Sequence, residues 1–274
     1  MTRVISGVIL AAAVLAAILF LPFFALRALV AVVAGFAACE YIHITGRTIP
    51  QGTSETNEGV SRRSLVARVI VIATVAYTAW WAAVPAALSI VLLSLAVVAW
   101  LAIEVLREGR TLEQAAIDLV APIYIGAPLG MLAALQFRSG PRATLLLIAT
   151  IVVSDSAQYY TGRAFGRRPL APAISPKKTV EGAIGGVVFG ALFMAVAMSY
   201  VFPLTPVVVR VLLGLVIVFL GIAGDLFESR LKRVAGMKDS SALIPGHGGV
   251  LDRIDALLFA IPVFYFMVLQ GRVA

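Results

Sequence analysis

Residues 206–233 read PVVVRVLLGLVIVFLGIAGDLFESRLKR: an apolar run, interrupted by Arg210, that ends abruptly in Asp225, Glu228, Ser229, Arg230, Lys232 and Arg233. A helix needs about 20 predominantly apolar residues to cross a hydrocarbon core. Inside lipid every backbone N–H and C=O must be satisfied within the chain, which an uninterrupted run of this kind achieves as a helix. The spacing at its polar end agrees. Asp225 and Ser229 are four apart, as are Glu228 and Lys232, so each pair shares a helix face. This stretch therefore predicts a spanning helix whose last turns carry charged groups at a membrane surface.

Runs of the same character recur on both sides of it. They predict an all-α, polytopic integral membrane helical bundle with about nine spans, at 4–21, 25–42, 65–80, 82–103, 117–136, 143–162, 180–202, 206–230 and 250–269. Hydrophobic residues make up 61% of the 274-residue chain and charged residues 13%, so apolar runs occupy nearly its whole length and a single membrane domain, 1–274, is expected. The N-terminal spans within 1–136 carry few distinctive polar residues, and the candidate chemistry falls within 143–269. The start, Met1-Thr2-Arg3 before an apolar run, is like a signal peptide but lacks a small-x-small cleavage site, and is read as an uncleaved first span. Cys39, the lone cysteine, sits in an apolar run as a packing residue.

The formal net charge is +8, yet the basic residues cluster in short loops between apolar runs. That distribution fits anionic headgroups and phosphorylated substrates, and no nucleic-acid partner is expected. Arg47, Arg62, Arg63, Arg107, Arg110, Arg163, Arg167, Arg168, Lys177, Lys178, Arg230, Lys232, Arg233 and Lys238 all fall on one side when the N-terminus is placed in the cytosol, against Arg138 and Arg142 opposite. The positive-inside rule then gives a multi-pass protein of the cell (inner or plasma) membrane with Ala274 outside.

Carboxylates inside spans are costly and mark polar cavities or partners. Glu40 and Asp118 stand alone near span ends and read as structural or interfacial, whereas Asp155 belongs to a polar stripe, Ser154 to Tyr160. The densest group is Asp225, Asp252 and Asp255. Asp252 and Asp255 share a face at the start of the last span, and an antiparallel arrangement of the last two helices brings Asp225 to a similar depth, about 12 Å below Arg233 at 1.5 Å per residue. Three convergent carboxylates beneath a basic loop suit Mg²⁺, a hard cation that shares its oxygens among protein, phosphates and water. Uncompensated, they would repel unless a cation held them, which predicts that Asp252→Asn leaves stability unchanged or, in the absence of metal, raises it.

The connecting loop supplies the anion side. Lys238 and the cluster Gly246-His247-Gly248-Gly249 precede a helix start, where N–H groups and the helix dipole favour phosphate. A second basic segment, Ser175-Pro176-Lys177-Lys178-Thr179-Val180-Glu181-Gly182, opens the seventh span. Pro176 is read there as a helix-start residue, and Thr179 and the lysines as phosphate-holding groups or as an orientation anchor with a cap.

The 27 residues from Ser229 to Asp255, SRLKRVAGMKDSSALIPGHGGVLDRID, resemble the signature of the phosphatidate cytidylyltransferases, the CDP-diacylglycerol synthases. Residues 175–182 and the Asp155, Tyr160, Gly162, Arg163 pattern are similar to other motifs of that family. The resemblance implies transfer of a cytidylyl group from CTP to phosphatidic acid at the cytosolic face, among membrane lipids and in a homodimer. It also implies a metal centre at Asp225, Asp252 and Asp255, with Mg²⁺ and a potassium ion as second cation. Around nucleotide and phosphates it implies Ser229, Lys232, Arg233, Lys238, Asp239, His247, Gly248, Gly249 and Arg253, with Ser175, Lys177, Lys178 and Thr179 nearby. Asp225, Asp252, Asp255, Lys232 and Lys238 are its catalytic set. Physical reasoning agrees: the attacking phosphate is already anionic, so catalysis consists of neutralising repulsion, aligning attack and stabilising pyrophosphate. Competing readings are a CTP-using polyprenol or phytol kinase, a cytidylyltransferase for another lipid such as an archaeal ether lipid, and a transporter with a carboxylate relay. Concentration of the polar residues at one face weighs against the transporter.

Overall fold

The computed structural model describes residues 2–46, 120–244 and 248–269. The expected spans at 65–80 and 82–103, Asp118 and His247 lie outside the described residues. Helix α1 spans Thr2–Phe20 and α2 spans Phe23–Thr45. A π-helical turn, Pro122–Gly126, leads into α3, Ala127–Phe165. Strands β1, Pro169–Ala171, and β2, Ser175–Thr179, form an antiparallel ribbon, followed by α4, Val180–Val201, α5, Val207–Val234, and α6, Leu251–Leu269.

Among the described residues, four helical segments are long and apolar enough to cross a membrane: Phe23–Thr45, Pro122–Phe165, Val180–Val201 and Val207–Val234. Large apolar side chains such as Val188, Leu192, Leu212 and Phe219 face outward, as expected where the surrounding solvent is lipid rather than water. The 44-residue segment is broken into two arms. At Gly140 the backbone turns to φ 75°, ψ 178°, a left-handed value open to glycine, and Pro141 follows. Tyr124, before the break, packs its ring 5.1 Å from that of Phe227 and 5.9 Å from that of Phe259. Leu135 and Leu146, flanking it, share a buried cluster with Ile261 and Phe264. Ile151, beyond it, reaches the level of Gly221 and Ala256. The two arms of α3 therefore run antiparallel, in keeping with the separate spans expected at 117–136 and 143–162.

The helices alternate in direction. The Ile18 carbonyl near the end of α1 accepts from Gln136 Nε2 at 2.8 Å, close to the α3 break. The far end of α2 lies instead against the start of α6. Two buried clusters follow from this layout. One, around Leu147, Met194, Ile217 and Phe264, fills the middle and the break end. The other, around Tyr41, Tyr124, Ile125 and Leu251, sits beneath the polar end.

Two local expectations change. Pro176 does not start a helix: Ser175–Thr179 is a strand, so the protein is mostly helical rather than wholly so. Proline donates nothing to a ladder and is tolerated in a two-stranded ribbon because each strand is an edge. The helix begins instead at Val180, where Thr179 Oγ1 accepts the Gly182 N–H at 3.1 Å as its N-cap. In addition, α5 continues to Val234 rather than ending at 230, so Lys232 and Arg233 are helical. Its end is closed by the Gly236 N–H on Arg233 O at 3.0 Å and the Met237 N–H on Lys232 O at 2.8 Å.

Candidate functional site

The polar ends of α5 and α6, the β ribbon, residues 236–244 and residues 248–250 meet at one end of the bundle. Helices α5 and α6 touch backbone to backbone there. A Cβ on Gly224 would stand 2.5 Å from the Asp255 carbonyl oxygen, so only glycine permits this approach. The neighbouring Asp225 is thereby carried beside Asp255, as the antiparallel arrangement predicts.

Asp225 receives Lys178 Nζ from β2 in an ion pair and the Ser229 hydroxyl at 3.4 Å from the next turn of α5. Asp255 is 9% exposed and accepts the Ala256 N–H on Oδ1 at 2.7 Å. Asp155, on the second arm of α3, lies within electrostatic reach of Asp225, Lys178, Asp255 and Arg253, and accepts Gln158 Nε2 at 3.0 Å.

Asp252 sits in a second, adjoining network. Lys232 Nζ is ion-paired with both Asp252 and the fully buried Glu228, the i,i+4 partner expected from spacing. The other oxygen of Asp252 accepts the Ser240 N–H at 3.0 Å, the Ser240 hydroxyl at 2.9 Å and the Gly249 N–H at 2.8 Å. Gly248 makes this possible: its φ is +76°, and a Cβ there would lie 2.5 Å from Asp252 Oδ2. The glycine pair thus folds the loop around a carboxylate of the protein itself.

Among the described residues no three His, Cys, Asp or Glu side chains are arranged as a ready-made metal cage. Ammonium groups face Asp225 and Asp252. The donor chemistry nevertheless fits a hard divalent cation. Among the described residues, the carboxylates of Asp155, Asp225, Glu228, Asp252 and Asp255 outnumber the cations named beside them, Lys178, Lys232 and Arg253. Every candidate ligand atom is a carboxylate oxygen, the type Mg²⁺ prefers.

Other expected site residues lie around this centre with different roles. Arg233 donates from Nε to Ile174 O at 3.1 Å and from a terminal nitrogen to Met237 O at 3.2 Å, stitching the ribbon to the loop. Thr179 caps α4 and Ser175 opens β2 opposite Ala171. Lys177, Lys238, Asp239 and Arg253 are exposed around the rim. Glu181 accepts the Arg167 and Arg168 N–H groups at 3.0 and 3.2 Å, holding the entry to the ribbon. An open hollow of about 410 Å³ between Phe165, Arg167, Arg168 and Glu181 lies beside that entry rather than at the carboxylates.

Sequence reasoning missed Ser240 and Ser241 and undervalued Glu40. The Glu40 side chain is 6% exposed and lies within hydrogen-bond distance of four donors: the Ser240 and Ser241 hydroxyls at 2.9 and 2.6 Å, and the Val250 and Leu251 N–H groups at 3.0 and 2.7 Å. The only local signal was a carboxylate near a span end.

A sequence profile described as "Cytidylyltransferase family" matches residues 1–270. Among curated proteins, the "Phosphatidate cytidylyltransferase" of Aquifex aeolicus is 46% identical over 128 residues, covering 47% of this chain and 48% of the relative. That of Haemophilus influenzae is 50% identical over 135 residues, 46% of each chain. That of Bacillus subtilis is 38% identical over 164 residues, 59% of this chain and 61% of the relative. The chain thus spans about half the length of the first two relatives and somewhat more of the third. With a match over nearly its whole length, the chain belongs to the cytidylyltransferase family.

Proposed function

We propose that this protein transfers a cytidylyl group from CTP to phosphatidic acid, forming CDP-diacylglycerol and pyrophosphate. The observation that carries the reading is the meeting of Lys178, Asp225, Lys232 and Asp252 at one end of the bundle, within motifs that resemble those of the phosphatidate cytidylyltransferases. The names of the relatives support it.

A phosphate oxygen of phosphatidic acid attacks the α-phosphorus of CTP, forming a new P–O bond. The bond from that phosphorus to the oxygen bridging to the β-phosphorus breaks, and pyrophosphate leaves with the electron pair. Two polyanions must approach, so neutralisation and alignment dominate the barrier. Lys178 and Lys232 are proposed to exchange their carboxylate partners for phosphate oxygens. Ser229, Arg233, Lys238, Asp239, His247, Gly248, Gly249 and Arg253, with Ser175, Lys177 and Thr179, are proposed to surround nucleotide and phosphates. Asp225, Asp252 and Asp255 are proposed as ligands of Mg²⁺, with K⁺ as a second cation; bound there, metal would supply charge neutralisation and template the phosphates. The proposal includes a site on the cytosolic side of the cell membrane, a cytosolic N-terminus and a homodimer, the last on the resemblance alone.

Purified protein with Mg²⁺, phosphatidic acid and CTP labelled at the α-phosphate tests the reaction. Label in the lipid with release of pyrophosphate is expected. Label retained in CDP, with the γ-phosphate moved to a lipid alcohol, would make it a kinase. No consumption of CTP would remove the reading.

A further inference from the structure

We infer that Glu40 of α2 is a positioning residue for Asp252 and the glycine turn, and that through them it sets the affinity for the nucleotide. The inference rests on the cytidylyl-transfer reading and adds to it a residue outside the 27-residue signature, from a helix that carries none of the expected site residues.

Each oxygen of Glu40 takes one hydroxyl and one amide: Ser241 Oγ and the Val250 N–H on Oε1, Ser240 Oγ and the Leu251 N–H on Oε2. The amides are those that open α6, and a buried carboxylate on a helix start is favoured by charge-assisted hydrogen bonds and by the helix dipole. The hydroxyls come from the other strand of the same loop. One side chain therefore pins both strands of the loop to a helix about 200 residues earlier in the chain. The loop segments it pins are those that hold Asp252. Ser240 Oγ is 2.9 Å from Glu40 Oε2 and 2.9 Å from Asp252 Oδ2, and its single proton can serve only one of them at a time. The Ser240 and Gly249 amides hold Asp252 in either case. A Cβ on Gly249 would overlap both the Ser240 hydroxyl and the Glu40 carboxylate, so the turn is fitted around this contact.

Glu40→Gln replaces one acceptor oxygen by a donor NH₂ that faces an amide and a hydroxyl. Loss of an outer partner of a metal ligand, the role proposed above for Asp252, typically costs about 10–100-fold in metal affinity or activity. The expected result is a KM for CTP raised about tenfold with the KM for phosphatidic acid unchanged. Faster hydrogen exchange at Val250 and Leu251 should accompany it, while the melting temperature of the remaining bundle is retained. A role confined to folding would instead lower the active fraction, reducing Vmax at constant KM for both substrates. That pattern, or unchanged exchange at the two amides, overturns the inference. Should Glu40→Gln fail to fold, Ser241→Ala decides: it removes one bond and leaves the buried charge with three donors. A raised KM for CTP supports the inference and an unchanged one overturns it. A wild-type chain that consumed no CTP would remove the functional reading alone, leaving the tether to be judged by exchange.

Discussion

The ammonium of Lys178 rests against the carboxylate of Asp225, tying the β ribbon to the polar end of α5. Its neighbour Lys177 points away and is exposed. Adjacent residues on a strand face opposite ways, so two lysines that look equivalent in sequence are placed differently.

That difference gives the first prediction. Lys178→Gln should lower turnover by about a hundredfold, the scale of removing one preorganised electrostatic group. Lys177→Gln should cost far less. Steady-state rates on correctly inserted protein measure both, and normal kinetics in both variants would return the pair to an orientation anchor.

Asp252→Asn should likewise reduce turnover by at least about a hundredfold, with little recovery on raising Mg²⁺. Its effect on stability reverses the expectation drawn from repulsion. Asp252 is compensated by Lys232 and by donors from Ser240 and Gly249. An amide must turn its NH₂ either toward the ammonium or toward those donors. A loss of about 1.5–3 kcal/mol is expected, as for a hydrogen bond to a charged group. Thermal or denaturant unfolding in detergent checks the sign.

Gly248→Ala should be damaging out of proportion to one methyl group. The left-handed backbone alone costs about 1–2 kcal/mol for a residue with a Cβ, and the new atom would displace the carboxylate of Asp252. Turnover should therefore fall with Asp252 still present. Normal kinetics in Gly248→Ala would mean that the turn does not set the position of Asp252.

Orientation is tested by cysteine labelling in a Cys39→Ala background. Ala173→Cys, at an exposed position in the turn of the ribbon, should react with a membrane-impermeant reagent from the cytosolic side, and Ser139→Cys, beside the α3 break, from the other. The opposite pattern would invert the protein and contradict the positive-inside reading of its loops.

Much of this architecture was legible because hydropathy reports the thickness of hydrocarbon. The runs at 180–202 and 206–230 became Val180–Val201 and Val207–Val234. The second extends further because hydropathy stops at the first charges, whereas the helix continues through the buried Glu228 and Lys232 pair to Val234. The convergence of Asp225 with Asp255 was also legible, since it needs only helix periodicity and an antiparallel neighbour. The ribbon was not: lysines beside proline carry little strand signal, and its pairing depends on a short return from β1. Glu40 was least legible of all. Its partners are serines and backbone amides with no distinctive pattern, and they reach it only after the chain has folded back from the far end of the sequence.

The break in α3 has a practical consequence. At Gly140, among the described residues, nothing beyond its chain neighbours and its own helix backbone lies within 4 Å of the position a Cβ would take, and the flanking Arg138 and Arg142 are exposed. The reversal sits at the end of the bundle remote from Lys178 and Asp252. Splicing a short epitope or a fluorophore-bearing peptide between Ser139 and Pro141 would thus give a reporter on the far surface, able to follow the protein in a living membrane without touching the end where the charges gather.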